Sequence, residues 1–472
     1  MEGLEISEVP FSTLITDTET KRMDSDFFNR EALAAQALVT KNLTLGELVK
    51  DGYRVVYEST ETVDRLQGEA LGWPYFLQSA DITTPFINAE AMGCVTPSDW
   101  ARYPKGRIQP GELLIEVKGK AEKVAIVPDD FPSHTLVTGT CFKLTTKTSD
   151  DRYWLLAYLS CRYGQLLKDR LKTNLLVSYL AKEDLYSLPV PRLNPPLVSA
   201  IKRVMTASFE LMRNGRSRAE ASQDQLMKSL YLGDDEGIEP LCYTRSSDEA
   251  FAAGRLDAEH FRPQYIKLIE NIQATGNAAL LGDLLTVNQR GKQPEYTGDG
   301  MIVVNSKHVA NGDVTVDADN RRGRLVEGDL QIQPGDVLMN GTGVGTIGRA
   351  AAYLRNSPVL PDNHVTILRA HKGGIDPVYL SVYLNSRAGQ LQVEQRLRGS
   401  SGQIELYPND IAKFSVWVAP RAVQQQIRNA VESGVQAKQR ARELLEAAKR
   451  AVEIAIEDSE AAALKYLKSV VK

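Results

Sequence analysis

From Leu43 to about Thr148 the chain alternates short apolar runs with Gly, Pro, Asp and Asn, the pattern of short strands joined by turns. RVVYE at 54–58, ELLIEV at 112–117 and KVAIV at 123–127 are predicted strands. Residues 30–39, ahead of them, are alanine-rich and predict a helix. After them Leu155, Leu156, Leu159, Leu166 and Leu167 recur at helical spacing and predict a helix over 151–171. The same order then returns, with strands through IVVN, DVLMN and HVTIL and a helix from Val378 to Leu397. Two segments carry the longest helical stripes. Leu197, Ile201, Val204, Ala207, Leu211, Ala219, Leu226 and Leu230 mark 197–232, and Val423, Ile427, Ala430, Val431, Val435, Leu444, Leu445, Val452 and Ile456 mark 423–458. At about 1.5 Å per residue, each reaches on the order of 50 Å. A helix of that length with one apolar stripe needs a partner. The expectation is that the two pair with each other, most simply antiparallel in a coiled-coil-like seam; the alternative is that each packs on its own globular half.

The recurrence is also literal. RMDSDFF at 22–28 returns as RLDAEHF at 255–261, and Leu45-Gly46-Glu47-Leu48 as Leu281-Gly282-Asp283-Leu284. IQPGELLI at 108–115 returns as IQPGDVLM at 332–339, and YWLLAYLSCRYGQL at 153–166 as VYLSVYLNSRAGQL from Val378. An offset of roughly 225 to 235 residues lies far beyond the solenoid repeat range, so the unit repeated is a whole domain. The predicted fold class is α+β: a tandem duplication of two globular domains joined by two long antiparallel coiled-coil helices. The predicted boundaries are 1–196 for the first domain, 197–232 for the central helix, 233–422 for the second domain and 423–472 for the C-terminal helix and tail. An acidic, Gly-containing connection, GDDEGIEP at 233–240, separates the copies.

Composition narrows the class. At 472 residues, 43% hydrophobic and 25% charged, the chain suits a globular protein of more than one domain, and disordered, collagen-like and fibrous classes are excluded. No run of about 18 apolar residues exists and the start lacks a basic segment followed by an apolar core, so a cytoplasmic protein without a membrane partner is expected. Cys94, Cys141, Cys161 and Cys242 are scattered without Cys-x-x-Cys spacing, and the five histidines are equally dispersed. They predict reduced thiols, mostly in the core, with neither metal site nor disulfide framework. A net charge of -4 argues against wholesale coating of nucleic acid but leaves local basic patches open, because phosphate binding depends on where cations sit.

Two motifs suggest a cofactor and are better explained by backbone geometry. Gly343-Val344-Gly345-Thr346-Ile347-Gly348 fits Gly-x-Gly-x-x-Gly, but RAAAYLRNSP behind it is too short for a crossover helix. The first copy has EVKGKAEKVAIV there, so a glycine-rich turn between two strands accounts for both. Asn194-Pro195-Pro196-Leu197 resembles the Asn-Pro-Pro-aromatic motif of amino-methyltransferases with Leu for the aromatic, and it stands where proline favours the first helical turn. No catalytic residue, cofactor or metal is expected.

Recurring cations suggest DNA contact. Arg170 and Lys172, ending the first copy's helix, are matched to Arg396 and Arg398 in the second; the first loop continues through Asn174 and the second through Ser400, Ser401 and Gln403. Arg with Gln, Asn and Ser on a mobile Gly-containing loop is the side-chain set that reads base edges in a major groove. Arg54 is matched to Arg290, which is followed by Lys292, and Lys118, Lys120 and Lys123 lie in the loop matching the Gly343 turn. For any one cation a solvated surface charge is the commoner explanation. As a doubled set on loops they favour DNA contact.

The order of signals resembles the specificity (S) subunits of type I restriction-modification enzymes. The matching residues are the Pro-Gly-Asp-Val-Leu run at 334–338 with its Gly-Thr-Gly turn, Asn363, YLSVYLNSRAGQ at 379–390, the approach from Asp410-Ile411 to Val418-Ala419-Pro420, VQQQIRNAV at 423–431, and, more loosely, Leu188-Pro189-Val190-Pro191 in the first copy. The resemblance implies two target recognition domains, each reading one half of a bipartite double-stranded DNA sequence, separated by two long helices that set the spacer. It implies no catalysis in this chain, two modification (methyltransferase) subunits as partners, and restriction/translocase subunits joining the complex. Two other classes are weighed against it: an enzyme, resting on the two discounted motifs, and a coiled-coil scaffold with two protein-binding heads, suggested by the acidic net charge.

Overall fold

The structure is a computed structural model. It describes residues 8–12, 22–39, 42–173, 178–230, 240, 242–310, 312–316, 320–343, 345–399 and 404–470. The connection at 233–240 lies almost wholly outside the described residues, as do Asn174, Ser400, Ser401 and Gln403. The fold is α+β, and the chain separates into two compact units, Met1–Leu211 with Gln439–Lys472, and Met212–Lys438. The divisions fall inside the two long helices, Pro195–Ser229 and Arg421–Glu457, where the sequence places domain ends at 196 and 422. Each unit therefore owns a stretch of both.

In the first unit a four-stranded antiparallel sheet runs in the order Val49–Tyr53, Cys141–Thr146, Leu113–Glu116, Val124–Ile126. Leu113, Leu114 and Ile115 are fully buried, since both faces of this strand are covered. The predicted strand RVVYE is corrected: the strand ends at Tyr53 and residues 54–57 leave the sheet. Their polar groups are used elsewhere, with the Tyr57 hydroxyl donating to Val137 O at 2.6 Å. A second four-stranded sheet joins Thr135–Val137, Tyr75–Leu77, Gly93–Val95 and Thr62–Val63, and Asn42–Thr44 pairs with Pro189–Pro191.

The predicted helix over 151–171 is two helices, Asp151–Ser160 and Arg162–Arg170, broken at Cys161, whose ψ is 169°. The corner is tight enough that a Cβ on Gly164 would sit 2.0 Å from Tyr158 O, so only glycine fits. The Gln165 side chain closes it, donating to Leu159 O at 2.7 Å. Helical periodicity continues across such a corner, which is why the sequence pattern shows one helix.

The core of this unit also takes in both long helices. Leu197, Ile201, Val204 and Met205 cluster with Leu444, Ala448 and Val452, beneath Leu155 and Leu159. Asn194 N donates to Glu460 Oε2 at 2.8 Å and Ser208 Oγ to Ala441 O at 2.6 Å, so the segments within this unit run antiparallel. Asn194 Oδ1 accepts from Leu197 N at 3.0 Å, the N-cap bond that opens the helix, and Pro195 stands in its first turn as the backbone reading expects. Beyond Glu457 the tail forms a further helix, Glu460–Val470.

The second unit has the equivalent antiparallel sheet, Leu285–Arg290, Val365–Ala370, Val337–Asn340 and Ala350–Ala352, and the equivalent strand pair, Ala278–Leu280 with Ser415–Trp417. Its helices Pro377–Asn385 and Arg387–Arg396 break at Ser386, where a Cβ on Gly389 would meet Leu384 O at 2.2 Å and Gln390 donates to the same carbonyl at 2.7 Å. The glycines of the Gly343–Gly348 run, at φ of 98°, 77° and 82°, turn the chain between two antiparallel strands with no helix behind them. Here too the stretches of the long helices run antiparallel: Gly215 meets Gly434, Arg218 bonds Ser433, and Gln225 Nε2 lies 3.3 Å from Gln426 Oε1.

Candidate nucleic-acid interface

In each unit the loop after the second helix of the broken pair returns beside the turn that joins two sheet strands, and backbone bonds lock the two together. In the first unit Leu180 N donates to Val117 O at 2.9 Å and Thr173 N to Tyr179 O at 2.9 Å. In the second, Leu406 N donates to Gly341 O at 2.9 Å and Arg398 N to Glu405 O at 3.0 Å. An arginine at the end of the first sheet strand braces each frame. Arg54 lies 4.8 Å over the Tyr179 ring and donates to Gly139 O at 3.3 Å. Arg290 lies 5.3 Å over the Tyr407 ring and donates to Gly341 O at 3.3 Å and Leu406 O at 3.0 Å. Both arginines are occupied in holding the loop to the sheet.

These bonds correct the match between the basic residues. Arg170 Nε donates to Phe27 O at 2.6 Å, and Gln395 Nε2 donates to His260 O at 3.1 Å, the same bond in the two copies of RMDSDFF and RLDAEHF. Arg170 therefore corresponds to Gln395 and Thr173 to Arg398. The pairing of Arg170 with Arg396 and of Lys172 with Arg398 is one residue out of step. Arg170 is 7% exposed, stacked 4.0 Å over Phe27, and belongs to the core.

The remaining cations divide by exposure. Lys123 is half-buried and donates to Ser79 O at 2.6 Å; Lys172 is half-buried, donates to Lys120 O at 2.6 Å and pairs with Asp169. Arg396 is half-buried over Phe414, bonds Lys413 O at 3.2 Å, and burial pushes its pKa down to about 10. It keeps its charge at neutral pH while its reach is taken up. Lys118, Lys120, Lys292 and Arg398 are exposed. The structure thus brings Lys118, Lys120, Lys172 and Arg54 to one loop cluster with Tyr179, and Arg290 and Arg398 to another, with Lys292 two residues past Arg290.

Around these cations stand residues that sequence reasoning did not single out. Thr342 bridges Glu405 through the backbone and its Oγ1 lies 2.7 Å from Nδ1 of exposed His364. Glu405 Oε2 lies 3.5 Å from Arg290 Nη1. The Tyr407 hydroxyl, and with it the Arg290 guanidinium, hold the Glu405 carboxyl below its usual range, so it is ionised at neutral pH. The offset of 224 between IQPGELLI and IQPGDVLM already pairs Lys118 with Thr342, but polar residues in loops carry no periodicity that would mark Glu405 or His364. Where the first unit's frame presents Lys118, Thr173 and Tyr179, the second presents Thr342, Arg398 and Glu405.

Among the described residues no group of three His, Cys, Asp or Glu is placed to hold a metal ion, and no helix is long and apolar enough to cross a membrane. Cys94, Cys141 and Cys161 are buried and Cys242 is exposed.

No family profile and no curated protein matches the chain. Among solved structures, it is similar to the S subunit of a type I restriction-modification system from M. genitalium, at 14% identity, with 90% of this chain and 95% of that chain covered and a TM-score of 0.35. It is similar to a chain from a structure of type I restriction-modification assembly, at 15% identity, 92% and 97% coverage and a TM-score of 0.28. It is also similar to the HsdS subunit from Thermoanaerobacter tengcongensis, at 13% identity, 91% and 95% coverage and a TM-score of 0.26. These are the kind of protein that the motif order resembles.

Proposed function

We propose that the chain is a non-catalytic DNA-specificity subunit of a type I restriction-modification complex, a tandem duplication whose two heads each read one part of a bipartite double-stranded target. The observation that carries the reading is the repeated loop frame. Two units hold the same loops in the same hydrogen-bonded register and dress them with different side chains, which is what one scaffold needs to read two unlike half-sites. Lys118, Lys120, Lys292 and Arg398 are the exposed cations of the sequence-derived set, suited to phosphate or base edges, and Asn174, Ser400, Ser401 and Gln403 stay with them as candidates. Arg54 and Arg290 position the loops. The long helices serve as the spacer, and methyltransferase subunits are the partners, with restriction/translocase subunits joining them.

The test is selection from random duplex DNA with the full-length chain, co-purified with the subunits it binds. The expected result is a target of two specified parts around a fixed unspecified spacer. A single continuous motif would remove the two-reader reading. Binding indifferent to DNA and to salt would favour the scaffold with protein-binding heads.

A further inference from the structure

Resting on the DNA-reading function proposed above, the second unit's cluster carries a more specific assignment. We propose that Glu405 is a specificity-determining residue that accepts a hydrogen bond from the exocyclic N4 amine of a cytosine in the major groove.

A carboxylate is an unfavourable neighbour for a phosphate backbone. At the mouth of a DNA-reading loop it is expected only where a base donor rewards it, and the cytosine amine is the donor that Asp and Glu accept from. Glu405 is built for that work. Its backbone is pinned on one side to Arg398, through bonds of 3.0 and 2.8 Å in both directions, and bridges Thr342 on the other. Its side chain is 35% exposed, so solvent or a ligand reaches it. Tyr407 and Arg290 keep it ionised, and hence an acceptor only. Glu405 also pairs with Arg290 at 3.5 Å, but that guanidinium is held in place by Gly341 O and Leu406 O as well, so the carboxylate is not its only anchor. The neighbours suit a base edge as well. Exposed Arg398, held by Asp410 at 2.8 Å, supplies a cation for a guanine edge or a phosphate, and Thr342 with His364 supplies hydroxyl and imidazole groups on the other side. In the first unit the equivalent position is Tyr179, which has no carboxylate, so the assignment belongs to one half-site only.

The experiment is the same duplex selection, run on wild type, Glu405→Ala and Glu405→Gln. In Glu405→Ala one cytosine position of one half-site becomes degenerate, its discrimination falling roughly 5- to 150-fold, while the other half-site is unchanged. That unchanged half-site shows that the protein is folded and bound. In Glu405→Gln the same position shifts toward adenine, whose N6 and N7 edge a Gln side chain pairs. If the wild type selects a bipartite target and Glu405→Ala leaves every position intact, or tightens binding to all sequences alike, the assignment is overturned and Glu405 is a brace for Arg290. If the wild type selects no bipartite target, the function reading fails and this assignment falls with it.

Discussion

Arg398 is about half exposed and lies on the rim of its loop, whereas Arg170 is buried over the Phe27 ring, near Phe28, with its Nε spent on a carbonyl. Replacing Arg398 by Ala is expected to cost roughly 1 to 3 kcal/mol at one base position if the guanidinium reads guanine, or to weaken all sequences alike and lower the salt slope by about one if it contacts phosphate. Binding of target and scrambled duplexes at several salt concentrations separates the two, and unchanged binding in both returns Arg398 to the solvated surface. Lys168 offers a second test. It is fully buried, donates to Ala121 O at 2.9 Å, and burial, with Lys172 nearby, pushes its pKa down to about 7. Below pH 7 both the folded and the unfolded chain carry the proton, and the penalty of the buried charge is fully present. As pH rises from about 7 toward the unfolded value of 10.5 the folded state alone has shed it, so wild-type stability rises across that window. The gain is on the order of a few kcal/mol. Lys168→Met should lack that rise, read as unfolding midpoints at pH 6 and pH 9; parallel profiles for the two proteins would show that Lys168 is not neutral in the fold.

At the scale of elements, the broken helix pair is the device that aims each loop. Gly164 and Gly389 allow a corner that no other residue fits, and Gln165 and Gln390 cap it, so the second helix of each pair ends beside the strand turn. The periodicity of Leu155 to Leu167 was legible, but the corner was not, because apolar spacing records which side is buried and not where the backbone bends. The long helices show a similar division. Their stripes were plain, yet in the second unit glycines let the two backbones come together: a Cβ on Gly434 would lie 2.8 Å from Gly215 O, and one on Gly215 2.8 Å from Gly434 O. By intrinsic helix propensity a larger residue at Gly434 should stabilise, by up to about 1 kcal/mol for Ala. Backbone contact wins here, and Gly434→Val is expected to destabilise the second unit by about 1 to 3 kcal/mol in denaturant unfolding. A neutral or stabilising result would mean that the helices separate easily there.

On the scale of the whole molecule, the two-reader function predicts that the heads are exchangeable. The strand pair of Asn42–Thr44 with Pro189–Pro191 closes the first unit's loop-bearing part, so replacing residues 45–188 with the matching part of a relative should change one half-site and leave the other. Sequences selected by the hybrid give the answer; a change in both half-sites, or in neither, would defeat the model of independent readers. The graft must keep the apolar residues that face the helices, since Leu444, Ala448 and Val452 from the distant C-terminal stretch share the core of that unit with Leu155 and Leu159. That contact marks the limit of what the chain shows when read as a string. The duplicated order of elements, the α+β class and the two striped helices follow from local pattern, because the periods of two and 3.6 and the recurrence of Gly, Pro and apolar residues are properties of neighbours in sequence. Which stretch of each helix joins which core, and which arginine is buried and which exposed, were decided only by the tertiary structure. Those are contacts between residues far apart in the chain, and a hydrogen bond to a distant carbonyl leaves no trace in local spacing.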